Sequence, residues 1–168
     1  MLPLLSIILL LIIMPSFASR VCIVTGANRG VGYEIAKGMG SSKFKVILAC
    51  RNQQLGMEAR NKLAESGYDV ELELLDIADS NSITFFVNTV ASKYPKIDVL
   101  INNAAIKFKS TYPTPFSQQC RPTLRTNFFG TLELTEKMIP HLKKSVRPII
   151  VDVVCKQCFL GLYSDNLY

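Results

Sequence analysis

A single histidine, His141, is the only imidazole in the sequence. Its one closely spaced cysteine pair, Cys155 and Cys158, has no second pair to match it. A closed zinc site needs four such donors, so no metal is expected. The same CxxC follows the last strand-like run instead of opening an early helix, which argues against a thioredoxin-like redox role. The five cysteines are odd in number, and Cys22 and Cys50 sit inside apolar strand-like runs, so they read as reduced core thiols. Internal repeats, low-complexity tracts and an interdomain linker are all missing. Charge is sparse at 19% against 49% hydrophobic residues, which excludes a disordered chain and fits one α/β domain. The balance of 19 basic and 13 acidic residues gives a net charge of +6 without a long run of one sign. Small groupings at Lys107/Lys109 and Lys143/Lys144/Arg147 read as solvated surface rather than a nucleic-acid footprint. The positive balance also suits an anionic cofactor.

Basic residues are missing as well ahead of the first apolar run. Met1 to Met14 is almost wholly apolar, and Pro15-Ser16-Phe17-Ala18 resembles a signal-cleavage region. About 20 apolar residues are needed to span a bilayer, so the run is short for an anchor. A signal peptide, a short membrane anchor and an artefactual start are three readings that the sequence leaves open. Membrane contact through residues 1–18 is carried with them.

What the sequence does have is an alternation of strand and helix patterns. The run 20–25 reads as a strand, followed by a helix near 30–40 with Val31, Ile35, Ala36 and Met39 on one face. Phe44 to Cys50 is a buried strand. A helix over 53–66 carries Leu55, Ala59, Leu63 and Ala64 at helical spacing and stops at Gly67. Val70 to Leu75 is a third strand. A helix from Asp79-Ser80 through Tyr94 turns Ile83, Phe86, Val87 and Val90 inward, and Asp98 to Ile101 is the fourth strand. Beyond a loop with Pro113 and Pro115, the pattern predicts one long helix over about 119–143, its ends constrained by Pro122 and Pro140. Pro148 to Val154 is the fifth strand. Such alternation predicts a Rossmann-like doubly wound parallel sheet, incomplete at the C-terminal side.

Between the first strand and its helix lies TGANRGVG, Thr25 to Gly32. A β-branched run entering a glycine-rich turn and then a helix is the entry to a dinucleotide-binding βαβ unit. Its glycines let the backbone approach a pyrophosphate, and the helix N-terminus offers free N–H groups and a positive dipole end.

Further motifs follow in order: ACRN (Ala49 to Asn52), LDIAD (Leu75 to Asp79), NNAA (Asn102 to Ala105) and TNFFGT (Thr126 to Thr131). Together with TGANRGVG they resemble the short-chain dehydrogenase/reductase family over about Arg20 to Cys155. DVLINNAAIKFK, PTPF and TNFFGT look specifically like the cytosolic NADPH-dependent carbonyl reductases of that family. Arg29 lies in the glycine turn and Arg51 just after the second strand, where an acidic residue would select the 2′-hydroxyl of NAD. An arginine there meets a 2′-phosphate with paired hydrogen bonds, so NADPH is the expected cofactor.

The resemblance implies a cofactor set of Gly26, Asn28, Arg29, Gly30, Val31, Gly32, Arg51, Asp76 and Asn103, with Asp76 on the adenine and Asn103 beside the ribose. It implies hydride transfer to a small carbonyl substrate: a ketone, aldehyde or quinone. Asn127 matches the asparagine that holds a water in the proton relay. Ala105 stands where the family has glycine, and its methyl would disturb the pocket if that backbone position needed positive φ or close approach.

Departures gather toward the C-terminus. The fifth strand reads VDVVC, so Val154 and Cys155 take the two serine positions, and a thiol is a weak donor. Tyr168 lies thirteen residues beyond Cys155, a spacing used in simpler members, but the lysine of YxxxK would fall at 172. Residues 156–168 look unrelated to the family. Residues 1–19, 20–155 and 156–168 are thus expected to be a signal- or anchor-like segment, a partial NADP-binding domain and a divergent tail. The fifth strand is expected to have an uncovered apolar edge, and folding to be marginal. Reductase activity, a non-catalytic NADP(H)-binding module and an incomplete gene product remain open as functions. Cytoplasmic location follows from the resemblance, and secretory or ER-membrane location from the apolar start. Oligomeric state is not legible.

Overall fold

A computed structural model describes residues 20–108 and 113–154. The signal-like segment, the tail, Cys155 and Tyr168 lie outside them. Five strands form one wholly parallel sheet: β1 (Val21–Thr25), β2 (Lys45–Cys50), β3 (Val70–Leu74), β4 (Val99–Asn102) and β5 (Ile149–Asp152). Their spatial order is β3-β2-β1-β4-β5. The chain therefore builds outward from β1 in one direction and then returns to build from its other side. That reversal leaves a crevice at the carboxyl ends of β1 and β4, the usual ligand position in open α/β sheets.

Helices α1 (Gly30–Ser41) and α2 (Gln53–Glu65) cover one face, and α3 (Ser80–Lys93) the other. Alternation along each strand feeds two cores. Cys22, Val24, Val46, Leu48 and Ile101 pack with Ala36, Ala59 and Leu63 on the first face. Ile23, Ile47 and Leu100 pack with Ile83, Phe86, Val90, Leu134 and Met138 on the second. The inward set expected for α3 is buried throughout.

Two expectations need correction. The long helix expected over about 119–143 is present as one unbroken helical run made of α4 (Phe116–Leu124), a π-helical segment Arg125–Gly130 and α5 (Thr131–Leu142), but its ends are not where the prolines place them. Pro122 and Pro140 lie inside α4 and α5 and do not end them. Val31 and Leu55, placed on apolar helix faces by their spacing, are 61% and 41% exposed because they line the crevice instead of the core.

At the amino ends of the strands, one buried acid ties three segments together. Asp98, 2% exposed, accepts from the Val21 N–H at 2.9 Å, Lys96 Nζ at 2.9 Å and Ser145 Oγ at 2.5 Å. Burial alone would raise its carboxyl, but these three donors more than offset that and hold it below its ordinary 3.8. Cys22 and Cys50 are free and buried, and burial pushes their thiols up to about 12 and about 11, as expected of inert core thiols.

Candidate functional site

The crevice is a cavity of about 620 Å³. It is lined by the β1–α1 turn, the segments after β2 and β3, the loop after β4, and Thr126. All nine residues expected to bind a cofactor line it: Gly26, Asn28, Arg29, Gly30, Val31, Gly32, Arg51, Asp76 and Asn103.

The turn owes its shape to glycine. Gly26 has φ +65° and Gly30 φ +57°, values that L side chains rarely adopt. The Gly26 N–H donates to Ala49 O at 2.8 Å, which fixes the turn on the end of β2. A Cβ on Gly32 would stand 2.6 Å from Gly26 O and closer still to Asn103 Nδ2, so position 32 in the first turn of α1 admits only glycine. Arg29 precedes that helix in extended conformation. No side chain caps it and no acid lies in its first turn. The leading N–H groups and the positive dipole end thus face the cavity for an anion.

Thr25 is a functional position that motif reading missed, although the T of TG was its signal. Its Oγ1 accepts from the N–H groups of Asn103 at 3.0 Å and Ala104 at 2.9 Å. Asn103 Nδ2 in turn donates to Thr25 O at 2.9 Å. The glycine turn and the NNAA loop are thereby one rigid unit. Asn103 lies at the cavity wall with its amide committed to that unit.

Arg29 and Arg51 are both exposed and form no ion pair among the described residues. Asn52 caps α2 through the Leu55 N–H at 2.9 Å, which sets Arg51 on the last residue before the helix cap. Asp76 is half-buried, and its Oδ1 accepts from the Ala78 N–H at 3.0 Å, so the carboxylate is held at the cavity by its own turn.

A second brace holds the Asp76 turn from outside. Arg125 Nε donates to Ala78 O at 2.9 Å, and its guanidinium reaches Ser80 Oγ at 2.9 Å and Glu133 Oε2 at 3.3 Å. Gly130 packs so closely on the Ile77 carbonyl that a Cβ would overlap its oxygen. Arg125 has no sequence signal, and Gly130 is the glycine of TNFFGT, whose tertiary role the motif alone does not show.

Asn127 does not line the cavity. Its Oδ1 accepts from the Ile106 N–H at 2.8 Å and its Nδ2 donates to Ile106 O at 2.9 Å, so both polar ends hold the loop that forms the rim. Ala105 lines the cavity with ordinary backbone: Lys43 is the only non-glycine residue with positive φ among the described residues. Ala105 therefore does not carry the positive φ that would have called for glycine. Cys155 and Tyr168, the remaining candidates for chemistry, lie outside the described residues. Among the described residues no group of side chains could hold a metal ion.

Comparison with known proteins agrees with this geometry. The chain is 38% identical over 138 residues to mouse "Carbonyl reductase [NADPH] 1", covering 81% of this chain and 50% of the relative. It is 37% identical over 145 residues to human "Carbonyl reductase [NADPH] 3", covering 85% and 51%. The chain thus spans about half the length of the curated relatives it matches. Among solved structures, menthone neomenthol reductase from Mentha piperita superposes with a TM-score of 0.74 at 29% identity, covering 83% of this chain and 61% of that one. An actinorhodin polyketide ketoreductase solved with NADPH gives 0.71 at 26% identity, covering 80% and 52%. The profile described as short chain dehydrogenase matches residues 20–168, and with the sheet order and glycine turn in place the chain belongs to that family.

Proposed function

We propose that the crevice binds NADPH and that the chain serves the reduction of a small carbonyl compound, a ketone, aldehyde or quinone. The observation that carries this reading is the pairing of an uncapped helix N-terminus with two unpaired arginines around one cavity. In this reading the α1 N-terminus and the glycine turn receive the pyrophosphate, whose approach a side chain at Gly26 or Gly32 would block. Arg29 and Arg51 meet the 2′-phosphate and discriminate against NADH. Asp76 faces the adenine, and Asn103 lies beside the ribose. Asn127 is a positioning residue that holds Ile106 at the rim. When bound, the cofactor supplies a hydride from C4 of its nicotinamide.

Titration of the full chain with NADPH, followed by fluorescence with NADH as control, tests the binding half. NADPH should bind more tightly, and Arg51→Ala should weaken NADPH about 10- to 100-fold while barely moving NADH. Equal affinity for the two cofactors, or no binding, overturns the reading.

A second reading, binding without turnover, is favoured by Val154. A valine stands where the resemblance expects a serine, and an alkyl side chain cannot polarise a carbonyl through a hydrogen bond. NADPH consumption with a reactive quinone separates the two. Saturable binding with no consumption selects the binding module.

A further inference from the structure

The strands are all parallel, so every strand begins at the edge of the sheet opposite the crevice. That edge collects cations. Arg20 leads into β1, Lys43 into β2, and Lys143, Lys144 and Arg147 into β5, and all five are exposed. None forms an ion pair among the described residues, and Arg20 lies over the Phe44 ring at 4.6 Å. The nearby acids are mostly spoken for: Asp98 is buried against Lys96, and Asp69 pairs with Lys45 at 2.8 Å. Glu65, at the end of α2, is an exposed acid on this side without an ion pair.

The basic segments are held in place. The Asp98 carboxylate joins the start of β1 to Ser145 in the middle of the Lys143–Arg147 loop. The Ile97 N–H donates to His141 O at 3.3 Å. At the tip of that loop Val146 is 92% exposed between Lys144 and Arg147. An exposed aliphatic between cations can enter a headgroup layer while the cations meet anionic lipid.

We propose that this edge docks on an anionic lipid bilayer. The chain itself supplies the argument for a membrane over other acidic partners. Residues 1–19 join the described structure at Arg20, on this same edge, and contain no charged residue and an almost wholly apolar stretch over Met1–Met14. Such a run is short for a span, and one modest apolar signal gives only reversible membrane binding until a polybasic patch adds a second. The five cations provide that second signal at the edge where the segment carrying the apolar run joins the fold. Strands of this length put the crevice ~15–20 Å from the lipid, facing water. The inference does not depend on which cofactor the crevice takes.

Flotation of the full chain with vesicles tests it, comparing phosphatidylcholine alone with phosphatidylcholine containing phosphatidylserine. Binding should be stronger to the anionic vesicles and should weaken with salt. In the triple variant Lys143→Gln, Lys144→Gln, Arg147→Gln the preference for anionic vesicles should fall about 100-fold, at roughly five-fold per cation. Binding to neutral vesicles and the thermal melting midpoint should stay unchanged. Val146→Gln, which removes no charge, should lower binding to both vesicle types. An equal preference in parent and triple variant overturns the proposal, as does parent binding that ignores phosphatidylserine. A preference for DNA or polyglutamate over anionic vesicles also overturns it in favour of another acidic partner.

Discussion

At one edge of the sheet β3 carries a ladder of charges, and at the other β5 carries bare aliphatics. Lys45 stands 2.8 Å from Asp69 and 3.0 Å from Glu71, Lys93 pairs with Glu73, and the Tyr94 hydroxyl donates to Glu71 at 2.8 Å. Charges on an edge strand deter further pairing. Ile149, Ile150 and Val151 of β5 are instead 45%, 42% and 41% exposed. An aliphatic run of this kind in a parallel sheet is written for burial on both faces. The difference teaches that β3 ends the sheet, whereas β5 is an interior-type strand that the described residues leave uncovered.

The largest effect is expected where the two halves meet. Gly130→Ala would drive a methyl into the Ile77 carbonyl, a backbone group that cannot rotate away. Overpacking against backbone should cost about 3 kcal/mol or more and separate α5 from the Asp76 turn. Urea denaturation of the full chain measures it. Gly38→Ala is the control: its added Cβ meets nothing within 4 Å in the last turn of α1. It should stabilise by about 0.5–1 kcal/mol. Comparable losses from both would show that the Gly130 contact is not special.

Next comes the pin at the strand starts. Asp98→Ala removes the acceptor of the Val21 N–H, Ser145 and Lys96 in one step. A loss of about 2–4 kcal/mol is expected in the same assay, because a buried N–H is left without a partner. A loss under about 1 kcal/mol would mean that water replaces the carboxylate at no cost.

The charged edge should also respond to pH where the aliphatic edge cannot. Burial by itself would lift the Glu71 carboxyl, but Lys45 and the Tyr94 hydroxyl prevail and hold it below its ordinary 4.5. Its contribution to stability is then complete above that value and lost as pH falls through its depressed pKa. Lys45 behaves in the opposite sense. Burial favours its neutral form, yet Asp69 and Glu71 raise it above 10.5. Its contribution is complete below 10.5 and lost as pH rises through the raised value. Stability measured against pH should therefore drop at both ends. Glu71→Gln should flatten the acid limb, leaving the parts due to Asp98 and Glu133, which are likewise held below their ordinary values. An acid limb unchanged in Glu71→Gln would remove the ladder from the account.

The strands and the crevice were largely legible in the sequence because both rest on local pattern. Apolar runs announce β1, β2, β4 and β5, apolar–acidic alternation announces β3, and TGANRGVG announces a turn that Gly26 and Gly30 close at positive φ. Helix faces were less legible where a helix turns from core to cavity. Val31 and Leu55 have core spacing, but the space they face is the crevice. The π-helical segment escaped because spacing does not distinguish it from α-helix, and prolines suggested breaks at the wrong places. Thr25, Arg125 and Gly130 act across 47 to 79 residues of sequence, so the motifs that contain Thr25 and Gly130 do not show what they hold. At Ala105 the sequence leaves open whether positive φ is needed, and the backbone there does not adopt it.

The smallest stability effect is expected from the substitution that bears most directly on the two edges. Ile150→Lys places a charge in the middle of β5, where the side chain is already 42% exposed and a lysine stem can lie along the strand with its ammonium in water. Stability should move by no more than about 0.5 kcal/mol, since little apolar burial is lost. Self-association should fall, because the edge then resembles β3. Glu73→Val is the reciprocal change, stripping one rung from the ladder opposite Lys93, and should raise it. Light scattering at rising concentration reads both. If Ile150→Lys leaves association untouched while Glu73→Val increases it, β5 is covered in solution by chain beyond the described residues or by a partner. If both shift as stated, the aliphatic edge is open, and charge alone separates a finished edge from an unfinished one.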